Sequence, residues 1–192
     1  MKKIFTSLLF VASILSVYAQ VTIDDFENSG KTWSNISCWS QVQTNPYKTG
    51  LNLTDNVLYL IRAVDCDNWS GAIYTLPSTQ TGYKYLHAQM YRNNTNVPNI
   101  KVKDETGAGV DCTGNGYCDI APLTTIVANE WQDVVFDISQ YETSGIDFVF
   151  FMVDRSDITA DAIMYVDNVI LSNDASPRTE VIGSSSGSEI GR

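Results

Sequence analysis

Every second residue from Tyr83 to Tyr91 carries a side chain able to stack or hydrogen-bond: Tyr83, Tyr85, His87, Gln89 and Tyr91 share one parity. Leu86, Ala88 and Met90 share the other, as in a strand with one face on a core and one turned away from it. Sugars present C–H faces that pack on aromatic rings and hydroxyls that need directed partners, so the polar parity has the chemistry of a saccharide platform. The plainer use of the same residues is cross-strand pairing on a covered sheet face. Aromatic loop residues offer a second route. Trp69 lies in Asp65-Cys-Asp-Asn-Trp-Ser-Gly71, Tyr117 stands beside Cys118, and Trp33 and Trp39 fall in Ser/Asn-rich stretches. A loop aromatic either stacks on a ligand or plugs the end of a core, and Trp69 and Tyr117 are the two read here as ligand contacts. Trp131 opens Trp-Gln-Asp-Val-Val-Phe, which alternates as a structural strand.

Catalytic constellations are sparse. His87, the one histidine, has no Cys-His or Ser-His companion motif, and no Glu-x-Asp-x-Glu strand occurs. Asp24-Asp25, Asp65-x-Asp67 and Asp154-x-x-Asp157 read as turn or metal-binding acids, so the expectation is that the chain is not an enzyme. A small polysaccharide lyase or hydrolase is the minor alternative. Asp111, Thr113, Asn115 and Gly116 begin like an EF-hand loop, but Pro122 stands where the bidentate Glu belongs. Sequons at Asn35, Asn52, Asn68 and Asn93 read as chance in an Asn-rich chain, because the leader is of bacterial type.

The elements that must position these residues are strands. Val21 to Phe26, Val57 to Arg62, Ala72 to Leu76, Lys84 to Arg92, Ile100 to Lys103, Trp131 to Asp137, Asp147 to Val153 and Ala162 to Leu171 are short, rich in β-branched and aromatic residues, and separated by Gly, Asn, Asp and Pro. No window shows a helical apolar stripe, so helix is limited to a turn near Ile138 to Tyr141. The fold class is all-β, an antiparallel β-sandwich. With 192 residues, 44% hydrophobic and 18% charged, one such domain fills the chain. A net charge of -10 argues against nucleic acid as a partner.

Residues 1–19 read as a signal peptide: Lys2 and Lys3, an apolar run from Ile4 to Val17, and Val17-Tyr18-Ala19 before Gln20. No lipobox cysteine follows, so the expected product is secreted or periplasmic, without membrane insertion after cleavage. The four cysteines suit an oxidising compartment. Cys112 and Cys118 flank a Gly/Asn turn and are paired on that ground, which leaves Cys38 with Cys66. The β domain spans residues 20–173. Residues 174–192 read as a flexible Ser/Gly-rich tail.

Ile23-Asp24-Asp25-Phe26-Glu27, Asn45-Pro46-Tyr47-Lys48-Thr49-Gly50-Leu51-Asn52, Trp131-Gln132-Asp133-Val134-Val135-Phe136-Asp137 and Tyr165-Val166-Asp167-Asn168-Val169 together resemble the galactose-binding-like jelly-roll domains of secreted bacterial glycan-processing proteins. Many carbohydrate-binding modules are of this kind. The resemblance implies a non-catalytic module holding a polysaccharide or oligosaccharide, and a structural calcium where the first and last strands meet. Its ligands would be Glu27, Asp167 and Asp25. The acidic composition favours a neutral glycan. The rival reading is a structural or adhesive surface protein that uses the sandwich for protein contacts.

Overall fold

The computed structural model describes residues 20–27, 30–103 and 118–183. Among the described residues ten strands form two antiparallel sheets: β1 Val21–Asp24, β2 Ser34–Ile36, β3 Ser40–Thr44, β4 Asn56–Arg62, β5 Gly71–Gln80, β6 Tyr85–Arg92, β7 Asn99–Lys101, β8 Trp131–Asp137, β9 Ile146–Met152 and β10 Ala162–Ser172. The larger sheet runs β3-β4-β10-β6-β8, with β1 on the free end of β10, and the smaller runs β2-β5-β9-β7. A single 3-10 turn, Ser139–Tyr141, stands where the sequence predicts its one helical turn.

The inward parities seal the sandwich. Leu58 and Leu60 of β4, Leu86, Ala88 and Met90 of β6 and Val166 of β10 meet Ala72, Val149 and Phe151 of the smaller sheet in one core. Trp33 plugs an end of it, stacked on Phe151 with ring centres 5.6 Å apart and donating Nε1 to Asp24 Oδ2 at 2.8 Å. β2 and β3, absent from the sequence-derived strands, are an outer strand in each sheet. Their Ser, Asn, Gln and Thr content removes the apolar alternation by which strands are recognised.

Two irregularities decide which residues face outward. In β10 the pairing slips between Asp167 and Ile170, with Asn168 at φ 46°, so Tyr165 and Asp167 face out while Val169 and Leu171 join the core. In β9 the Asp147 and Phe148 amides both donate to the Val102 carbonyl. That bulge lets Ile146 and Val149 both face the core, which turns Phe148, Phe150 and Met152 outward.

One disulfide, Cys38–Cys66, joins the β2-β3 connection to the loop after β4. Cys118 is also disulfide-bonded, but Cys112 lies outside the described residues, as does the expected signal peptide. Residues 174–183, expected as free tail, instead cross the outer face of the larger sheet: Arg178 binds Asp133, and Ile182 exchanges backbone hydrogen bonds with Leu51 and Leu53.

Candidate functional site

The polar parity of β6 faces outward as expected but is not open. His87 is 2% exposed, Gln89 0% and Tyr91 8%. His87 Nε2 donates to the Asp174 carbonyl at 2.7 Å and Nδ1 lies 2.8 Å from Asp133 Oδ2. Arg178 donates to Asp133 from Nε and from its backbone amide at 2.8 and 2.7 Å. Gln89 donates to the Leu51 carbonyl, and the Tyr47 ring stacks on Tyr91 at 4.1 Å. The reading of His87, Gln89 and Tyr91 as a saccharide platform is therefore corrected. Strand parity assigns a face, whereas its exposure depends on segments distant in sequence, here the stretch from Tyr47 to Leu51 and the strap 174–183. Tyr83 packs partly buried against the interior core, and Tyr85 is half-buried. Tyr117 lies outside the described residues.

An open concavity lies on the smaller sheet. A cleft of about 750 Å³ has Ile73, Phe148, Phe150 and Met152 as its floor. Asn68 and Trp69 form one rim, and Trp69 is 44% exposed. Lys101, Asp119 and Arg155 supply polar groups, with Arg155 Nε 2.9 Å from Asp119 Oδ2. Two devices hold this rim. Gly71 brings β5 so close to β9 that a Cβ would lie 1.8 Å from the Phe151 carbonyl oxygen, which only glycine allows. On the other side, buried Arg62 donates to the carbonyls of Asp154 and Ser156, fixing the backbone on either side of Arg155. Of the sequence-derived contacts, Trp69 is the one at this cleft. Phe148 and Phe150 were missed, although Ile-Asp-Phe-Val-Phe-Phe-Met is apolar on both faces and an exposed strand alternates.

A mixture of apolar floor, exposed indole and few convergent polar groups suits a ligand with both C–H faces and hydroxyls. A glycosidase pair needs two carboxylates across the groove; among the described residues lining the cleft, Asp119 is the acid present, and it is paired with Arg155.

The acids expected to hold calcium are divided. Asp25, Glu27 and Asp55 line a second cavity, of about 360 Å³. Glu27 Oε1 accepts the Asp55 and Asn56 amides, each at 2.8 Å. Asp167 is fully buried beside it and accepts from Asn52 Nδ2, Thr54 Oγ1 and the Asn168 amide. Burial, aided by the Glu27 charge, pushes its carboxyl up to about 6 against those hydrogen bonds. Among the described residues no three His, Cys, Asp or Glu side chains converge as a metal cluster. Asp167 as it stands does not fit a calcium ligand, because its oxygens already face N–H and O–H donors.

Solved structures of similar fold are known. The family 11 carbohydrate-binding module of a cellulosomal cellulase of Clostridium thermocellum superposes with TM-score 0.50 at 16% identity, over 83% of this chain and 97% of that one. The likeness is one of fold, a jelly-roll β-sandwich. A family 29 module complexed with mannohexaose aligns with the same TM-score at 10% identity, over 81% of this jelly roll and 92% of that one. No family model and no curated protein matches the sequence.

Proposed function

We propose that the protein is a secreted, non-catalytic carbohydrate-binding module that holds a neutral polysaccharide chain in the cleft of its smaller sheet. The observation that carries this reading is the open cleft itself, an aromatic floor under Trp69 with Lys101, Asp119 and Arg155 at hand for hydroxyls. The jelly-roll likeness to modules of families 11 and 29 supports it. Export is supported by the Cys38–Cys66 bond, since disulfides persist in oxidising compartments. Native electrophoresis through gels containing a panel of polysaccharides tests the reading. Retardation by a neutral glycan is expected, and Trp69→Ala should weaken it about two- to tenfold. Migration unaffected by every glycan would move the weight to a structural or adhesive surface protein.

Calcium at Asp25, Glu27 and Asp167 is a separate proposal, and it requires Asn52 and Thr54 to turn away from Asp167. In chelator, the raised Asp167 carboxyl contributes stability that is complete below its unfolded value near 4 and lost as pH rises through about 6. Melting temperature in chelator should therefore be higher at pH 5 than at pH 7, and Asp167→Asn should flatten that difference. If the ion binds, calcium added at pH 7 raises the melting temperature; identical melting with calcium and with excess chelator removes the site.

A further inference from the structure

The outer face of the larger sheet carries aromatic groups for which the proposed cleft has no use. Gln41, Tyr59, Tyr165, Tyr91 and Trp131 stand in register, one on each of β3, β4, β10, β6 and β8, so they form a row across the sheet. Its four aromatic members belong to a cluster separate from the interior core. One end of it is sealed. Tyr47 stacks on Tyr91 with planes 10° apart, Trp131 Nε1 donates to the Tyr47 carbonyl at 2.7 Å, and Tyr165 is only 9% exposed.

The other end is open. Trp39 is 53% exposed and Tyr59 beside it is half-buried, while Tyr47, which covers Tyr91 towards the sealed end, keeps 40% of its own surface exposed. Trp39 meets Tyr59 edge-on, ring centres 6.1 Å apart and planes at 78°, which makes a floor and a wall. Beside them Gln41 Nε2 donates to Gln43 Oε1 at 2.9 Å; each amide has further donor or acceptor capacity. Every open ring bears an O–H or N–H and its neighbours on the edge strand are uncharged amides. Asp161 is the charge felt by Tyr59, and it disfavours an anionic ligand.

We propose that Trp39, Tyr59 and Tyr47, with Gln41 and Gln43, form a second saccharide-binding face that takes a neutral glycan chain on the side of the sandwich opposite the cleft. Rings supply the stacking surface for C–H faces, and amides and phenols supply directed partners for hydroxyls. The ligand class rests on the function proposed above, while the location does not depend on the cleft.

The test uses the full chain as wild type, Trp39→Ala, Trp69→Ala and the double variant, run through gels containing a neutral glycan that retards the wild type. Each single variant should bind about two- to tenfold more weakly, the range of one aromatic contact, and the double variant should migrate as in a glycan-free gel. Trp39→Phe, which keeps a ring, should recover most of the loss and guards against a folding defect. Wild-type retardation of Trp39→Ala, with Trp69→Ala alone abolishing it, overturns the second face and leaves the cleft standing. The reverse pattern upholds the second face and removes the cleft. A Trp39-dependent dimer in sedimentation, with glycan retention unchanged, overturns the proposal in favour of a second copy of the chain. Failure of every neutral glycan to retard the wild type overturns both.

Discussion

Asp133→Ala should cost about 3–5 kcal/mol of folding stability, the range for removing one partner of a buried charged network. Asp133 is 2% exposed and holds His87 Nδ1 together with the side chain and amide of Arg178. Burial alone would raise its carboxyl, yet the bonds from His87 and Arg178 bring it below the ordinary carboxylate range. Its contribution is thus present above the unfolded value near 4 and lost as pH falls through the lower folded one. Denaturant unfolding near neutral pH reads the loss, and hydrogen exchange should show the amides of residues 174–183 opening first, because Arg178 is one of the groups that anchor them. A loss below about 1 kcal/mol would mean that the strap does not depend on this network.

Reduction of Cys38–Cys66, or Cys66→Ser, should cost about 3–4 kcal/mol, the chain-entropy value for a sequence separation of 28. Trp39 follows one cysteine directly and Trp69 is three residues beyond the other. Loosening the bond should therefore also weaken glycan retention, and the two effects separate by measuring retention well below the unfolding midpoint. Unchanged retention in the reduced but folded protein would show that the Trp69 rim is held by Gly71 and its neighbours alone.

Much of this was legible in the sequence, and the pattern of misses is physical. Alternating Val, Ile, Leu and Phe marked eight strands, because burying one face requires that period. The polar β2 and β3 carry no such pattern and are held by pairing with β5 and β4. For β6 the faces were read correctly and the exposure was not. What meets His87 and Gln89 is the Asp174 carbonyl and the Leu51 carbonyl, which lie far along the chain, and a Ser/Gly-rich composition concealed the docked arginine at 178. At the cleft, Trp69 was readable as a polar-loop aromatic. Phe148 and Phe150 were hidden because the bulge at Asp147 reverses the parity by which a strand's open face is recognised.

The position of β10 bears on how the chain can be made. It is among the last strands in sequence, yet it lies at the centre of the larger sheet, between β4 and β6, and it also receives β1. Until residues 162–172 emerge, β4 and β6 have no strand to bridge them and β1 has no partner. The larger sheet is therefore completed only by its last strand, whereas the smaller sheet needs none of it, and pairings of such long sequence separation close slowly.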